Sequence, residues 1–468
     1  PAPIAAIDVN RRATLAVARS RMTVKVDAAE RVFRSGTGHL RWAVLDSGID
    51  ARHPCFARTH DADRPRAAIP PGESRVVATY DFTRLLPLFA GDFAALVPEA
   101  ERAALADLAN PRARKNPRDL AEAVLMRLYQ RNAGRVPARL STRALADSLS
   151  DDGFAREVKD YAGEVKARIT QGEILDWPLL EPLLRLPHDW DADAPVWTPP
   201  ANGHGTHVAA ILGGNLPAGA MDLGEGLAGP EEDRIGMCPE IGLLDLRVCD
   251  AAGQSDEFLV MAALQFVEHL NRAQAEMRVH GVNVSLQLRH EVRNYGCGHT
   301  PVCKAADALV ASGVPVIAAA GNRGYNRLRA EVGFADAYAF ASVMDPGNAA
   351  GVITVGSAHR DKPGLYGVSY FSSRGPTGDG RQKPDLVAPG EKIVAPVPGS
   401  DGQVQSGTSM AAPHVSGAAA LLMARHPELI GDPARIKAIL CATATDLGRR
   451  PEFQGAGMVD VLRALQSL

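Results

Sequence analysis

The chain has 468 residues, with 51 basic against 54 acidic side chains and a formal charge of −3. That balance excludes a bulk electrostatic attraction to nucleic acid or to a membrane surface, and no apolar run is long enough to span a bilayer. With 46% hydrophobic residues there is material for one large domain, or one domain carrying a sizeable insertion.

Residues 1–38 read as an N-terminal extension, starting at Pro1, with no secretory signal and too short for a folded inhibitory domain. Arg11, Arg12, Arg19 and Arg21 cluster there without interleaved aromatics, which reads as a solvated surface. Residues 41–46 form a short buried strand that ends in Asp46. From 84 to 195 the composition shifts to Ala, Leu, Arg and Glu, with little strand character. Asn116-Pro117 supplies a helix start there. Leu120, Val124, Leu125 and Leu128 make one apolar stripe, and Phe154, Val158, Tyr161, Val165 and Ile169 a second. Pro178, Pro182 and Pro187 break up the last part of the stretch. The whole of it is expected to be a helical insertion whose stripes form its own core or its contact with the main domain.

Beyond it, strands at 241–248, 282–288, 314–320 and 352–356 alternate with helices at 258–275, 303–312, 409–424 and 432–443. Alternation of this kind implies a mostly parallel sheet covered on both faces, a three-layer α/β sandwich formed by residues 39–83 and 196–468. Sites in such folds lie at the C-terminal ends of strands, where Asp46, Ser285-Leu286 and Gly321-Asn322 fall. The six cysteines are too sparse for a disulfide scaffold. Cys297 and Cys303, with His299 between them, leave three readings open: a local disulfide, a metal site lacking a fourth ligand, or free thiols.

The most informative segment is Ser406-Gly407-Thr408-Ser409-Met410-Ala411-Ala412-Pro413-His414. Gly407 lets the chain turn, and Ser409 then sits at a helix start, where free N–H groups and the helix dipole favour developing negative charge. Alone, the segment fits either a serine nucleophile or a glycine-capped turn into a buried Ala-rich helix. Three other elements bear on it. These are Val44-Leu45-Asp46-Ser47-Gly48-Ile49-Asp50 followed by His53-Pro54, then Gly203-His204-Gly205-Thr206-His207-Val208-Ala209, then Ala318-Ala319-Ala320-Gly321-Asn322. Each has a bland reading: a turn at Asp46, a zinc pair or packed residues at His204 and His207, a turn asparagine at Asn322. The acid expected between metalloprotease histidines is missing, and His207 reads as a packed structural residue.

Together, and in this order, the motifs resemble the subtilisin-like serine proteases, the subtilase family. The resemblance implies a serine endopeptidase with Ser409 as nucleophile, His204 as general base and Asp46 orienting it. It also implies Asn322 as an oxyanion donor alongside the Ser409 N–H, an assignment that separates the chain from the related sedolisins. Val282-Asn283-Val284-Ser285-Leu286 is similar to the floor of the primary specificity pocket, and Lys383 to Gly390 matches the segment before the serine loop. Substrate contacts are therefore expected at Ser285, Leu286, Gln287, Ala319, Ala320, Gly321 and Gly253. Gln287 replaces the family's usual glycine, so it either narrows the pocket or points to solvent. Residues 249–255 are expected to pair with an extended polypeptide substrate. The chemistry needs no cofactor; structural calcium is common in the family, but no ligands are assigned. Asp46 and His204 stand 158 positions apart, far more than in a minimal subtilase, and the insertion accounts for the excess. It is expected to shape or regulate the cleft or to dock a regulatory partner. The alternatives are a latent protease controlled through that insertion and a non-catalytic scaffold on the same fold.

Overall fold

A computed structural model describes residues 17–58, 69–70, 72–90, 177–190, 197–216, 235–272, 276–290, 293–326 and 337–468. The two apolar stripes expected between residues 116 and 170 lie outside the described residues.

Eight strands make one sheet: β1 Arg41–Asp46, β2 Val76–Asp81, β3 Arg185–Leu186, β4 Gly242–Arg247, β5 Gly281–Val284, β6 Val316–Ala319, β7 Ile353–His359 and β8 Leu386–Glu391. Their order across the sheet is β3-β2-β4-β1-β5-β6-β7-β8, and every pairing is parallel except β2 with β3. A two-stranded antiparallel hairpin, β9 Ile393–Val397 and β10 Ser400–Gln405, stands apart.

Strand β1 shows why the sheet must be covered twice. Trp42 and Val44 join one core, packed with the helices α1 His204–Gly213 and α2 Thr408–Arg425. Ala43 and Leu45 join the other, packed with α3 Glu257–Arg272 and α4 Pro301–Ala311. Side chains alternate across a strand, so an unbroken apolar run has no face left for water. The result is the three-layer α/β sandwich expected from the alternating pattern.

Two segments outside the anticipated sheet strands join this frame. Residues 17–33 pack behind α2, where the Ser20 hydroxyl reaches the buried His414 ring at 2.9 Å. Lys25 pairs with the buried Asp460. At the other edge, α5 Trp177–Leu184 leads into β3, which pairs antiparallel with β2. The three prolines were expected to break this stretch, yet positions 178 and 182 both lie within the helix. Pro178 falls in the first turn, where its missing N–H has no helical acceptor anyway. The helix continues through Pro182 because tertiary packing carries it. Trp177, Leu180, Leu183 and Leu184 are buried, and the Trp177 ring lies 5.2 Å from Phe266 and 6.3 Å from Phe82. Among the described residues, no helix is long and apolar enough to cross a membrane.

Candidate active site

The C-terminal ends of β1, β5 and β6 bring Asp46, Ser285 and Asn322 to one edge of the sheet, and the N-termini of α1 and α2 bring His204 and Ser409 over it. His204 opens α1. Its backbone N–H donates to the Asn202 side chain at 2.9 Å, and the next turn is set by Gly205. A methyl group on Gly205 would lie 2.5 Å from the Gly48 carbonyl and 3.0 Å from Asp46 Cβ. Only glycine lets the helix start come this near β1.

That approach produces the main contact: His204 Nδ1 donates to Asp46 Oδ1 at 2.7 Å. A carboxylate only accepts, so the proton sits on Nδ1 and Nε2 is left as the base. Asp46 is buried, with its side chain 1% exposed, and also accepts from the Ser47 N–H at 2.7 Å. Its Oδ2 has no hydrogen-bond partner among the described residues, so the imidazole is the chief group that can answer its charge. Burial works against protonation of His204, but the Asp46 charge and hydrogen bond outweigh it and hold the imidazole above the ordinary histidine value. His207, three residues on, is different. Burial pushes it down to about 4, and its Nε2 donates to the Gln403 carbonyl at 2.9 Å. It is a packed neutral ring that anchors the β9–β10 hairpin.

Ser409 is the second residue of α2, so its N–H has no acceptor within the helix. Its Oγ donates to the Ser285 carbonyl at 3.0 Å and makes no hydrogen bond to His204. Asn322 is held from its oxygen end: Oδ1 accepts from the Thr408 N–H at 2.9 Å and from the Thr408 hydroxyl at 3.1 Å. Its Nδ2 lies on the Gly407 side, 3.3 Å from where a Cβ would stand. Gly407 was expected to supply a tight turn. Its φ of 169° is extended backbone open to any residue, so its contribution is space beside that amide. The sequence pattern of the Subtilase family matches residues 42–458, a span that contains all of these groups.

The chain belongs to the subtilase family, the subtilisin-like serine proteases. It is similar to Subtilisin DY of Bacillus licheniformis, with 28% identity over 265 residues that cover 57% of this chain and 78% of that protein. It is similar to Serine protease AprX of Bacillus subtilis, with 30% identity over 281 residues covering 55% of this chain and 57% of that one. Pyrolysin of Pyrococcus furiosus is 28% identical over 322 residues, 57% of this chain but 21% of its own length. The chain thus spans most of one such relative and about half or less of the others.

Of the other residues expected to meet substrate in this subtilase, Ser285 is buried and Leu286 half-buried at the end of β5. Gln287 turns its Oε1 to accept from the Asn322 backbone N–H at 3.1 Å, an engagement that neither sequence reading of this residue included. Ala319, Ala320 and Gly321 are buried, and the backbone groups of the last two are taken. Ala320 bonds to Val355 and Met344, and Gly321 to Thr408 and Ser373. Gly253 lies in a tight loop in which Cys249 and Ser255 bridge, Asp250 N–H donates to the Gln254 carbonyl at 2.8 Å, and Gly253 adopts φ +76° beside Asn202. Sequence reasoning missed Thr408, Asn202 and the Gln287 contact. Asn202, two positions before His204, was the one with a signal, since Asn is a common helix-start residue.

All six cysteines are free thiols, Cys297 and Cys303 included. Among the described residues no three His, Cys, Asp or Glu side chains converge on one point.

Proposed function

We propose that this subtilase is a serine endopeptidase in which Ser409, His204 and Asp46 form the catalytic triad and Asn322 shares the oxyanion hole with the Ser409 N–H. The observation that carries this is the 2.7 Å bond from His204 Nδ1 to a buried carboxylate, on a ring whose other nitrogen is left as a base at the sheet edge that also holds Ser409 and Asn322. In the reacting state the Ser409 hydroxyl turns from the Ser285 carbonyl to His204 Nε2, which takes its proton as Oγ attacks the peptide carbonyl. The substrate oxygen becomes an oxyanion that accepts from Asn322 Nδ2 and from the Ser409 N–H. His204 then protonates the leaving amine, and the acyl-enzyme is hydrolysed by water activated on the same ring. Asp46 keeps the proton on Nδ1 and stabilises the imidazolium.

The substrate is proposed to be an extended segment of polypeptide, its acyl side walled by Ser285–Gln287 and Ala319–Gly321. The proposed chemistry uses the side chains of Ser409, His204, Asp46 and Asn322 and the backbone N–H of Ser409. The test is labelling by a fluorophosphonate together with cleavage of an unfolded polypeptide. Wild type is expected to be labelled and active, and Ser409→Ala to show neither. Equal labelling of the variant would refute the assignment of Ser409, and a properly folded wild type that is neither labelled nor active would refute the reading as a whole.

A further inference from the structure

Pro413 lies four residues beyond Ser409 inside α2 and has no N–H. The Ser409 carbonyl therefore loses the helical donor that a regular α-helix would supply. A side chain replaces it: Ser285 Oγ donates to the Ser409 carbonyl at 2.8 Å, while Ser409 Oγ donates back to the Ser285 carbonyl at 3.0 Å. Behind Ser285 the chain of bonds continues. Asn283 Nδ2 donates to Ser285 Oγ at 2.8 Å, and Asn283 Oδ1 accepts from Ser416 Oγ at 2.9 Å. Asn283 and Ser416 are fully buried, and neither has a part in the chemistry described above.

The periodicities explain the arrangement. Ser409 and Ser416 are seven apart, two turns of helix, and so share the face of α2 that lies on β5. Asn283 and Ser285 are two apart and share one face at the end of the strand. Each hydroxyl has a single proton, so the chain of bonds has one direction. Ser416 orients the Asn283 amide, the amide occupies the Ser285 oxygen as acceptor, and the Ser285 proton is thereby aimed at the Ser409 carbonyl.

We infer that Asn283 and Ser416 are positioning residues for the nucleophile, holding the Ser409 peptide in place through Ser285. This inference rests on the assignment of Ser409 as nucleophile. The relay fixes the carbonyl side of Ser409, hence its Cα, the arc through which Oγ swings to His204, and the direction of the N–H that serves the oxyanion. Asn283 and Ser416 touch no reacting atom; they set where the reacting atoms stand.

Asn283→Asp tests the direction of the relay. It keeps size and the acceptor for Ser416 but puts a second acceptor against Ser285 Oγ, which draws the serine proton away from the Ser409 carbonyl. The variant is expected to lose about tenfold or more in kcat per active site titrated with the fluorophosphonate, with KM little changed, as for an ångström-scale misplacement of a reacting group. Ser416→Ala is the milder variant and carries the test if Asn283→Asp does not fold. It is expected to lose about threefold in kcat, the size of one neutral hydrogen bond, and Ser416→Thr to restore it. The acid limb of the Ser416→Ala pH profile should stay where wild type has it, because His204 and Asp46 are untouched. Wild-type labelling is measured alongside, so failure of Ser409 as nucleophile is read separately. If wild type labels and Ser416→Ala keeps wild-type kcat while losing thermal stability, the relay is packing only and the inference is overturned. A displaced acid limb in that variant would overturn it as well, by placing the effect on His204.

Discussion

Replacing Gly205 by alanine tests how the fold builds the His204–Asp46 contact. The added methyl would stand 2.5 Å from the Gly48 carbonyl, 2.9 Å from the Gly48 nitrogen and 3.0 Å from Asp46 Cβ. Two of these neighbours are backbone, so no side chain can turn aside. Bringing the nearest contact out to about 3.4 Å moves the start of α1 by about 0.9 Å. The same displacement stretches the 2.7 Å bond from His204 to Asp46 to about 3.6 Å, beyond hydrogen-bonding reach. Misplacement by about an ångström costs on the order of 100-fold in rate. Asp46 also raises the His204 pKa, so its retreat leaves burial to dominate and lowers that pKa. The base must be neutral to act, and the acid limb of the rate profile therefore moves to lower pH while the plateau falls. The assay is kcat/KM against pH on active-site-titrated protein, with Gly364→Ala as control, since a methyl there meets nothing within 4 Å. A folded Gly205→Ala protein with a wild-type plateau and an unmoved acid limb would refute the reasoning.

Three further outcomes are expected. Asn322→Ala should lower kcat by about 10²–10³, a magnitude measured on the oxyanion asparagine of subtilisin itself, with KM nearly constant in steady-state kinetics. Asp46→Asn should lower kcat by about 10⁴, as in other Ser-His-Asp triads. It should also remove a pH-dependent part of stability. Because the folded His204 pKa is raised above 6.5, that contribution is full below the unfolded value and is lost as pH rises through the folded one. Urea melts on the acid and alkaline sides of that window should show wild type and variant diverging more on the acid side. Trp177→Ala should cost about 3–5 kcal/mol in a denaturant melt, because the ring is buried against Phe82 and Phe266. A loss under about 1 kcal/mol would mean that α5 is not part of the core.

The central strands were legible because burial on both faces writes itself as a continuous apolar run, as in 41–46 and 314–320. Strand β2 was not, since Thr79 interrupts its apolar run; Thr79 is nevertheless buried in the sheet. Helix α5 was misread because proline spacing argues locally while the packing of Trp177 argues from far along the chain. At the site, the glycine-flanked motifs announced Asp46, His204, Asn322 and Ser409. The bond from Gln287 to the Asn322 N–H and the relay through Asn283 and Ser416 depend on which side chains meet across elements more than 30 positions apart, which no local pattern encodes.

The order β3-β2-β4-β1-β5 has a consequence for dividing the protein. A cut anywhere between residues 91 and 176 would leave β1 and β2 on one fragment and every other strand on its complement. Each strand of the first fragment lies between two strands of the second: β1 between β4 and β5, and β2 between β3 and β4. The fragments are therefore interleaved, and parting them would unzip four ladders at once. Asp46 goes with one piece, His204 and Ser409 with the other. A protein nicked in this interval should stay whole in native buffer and come apart only in denaturant. Two fragments made separately would have no His204–Asp46 contact until they meet, which makes the interval a natural place to split the enzyme.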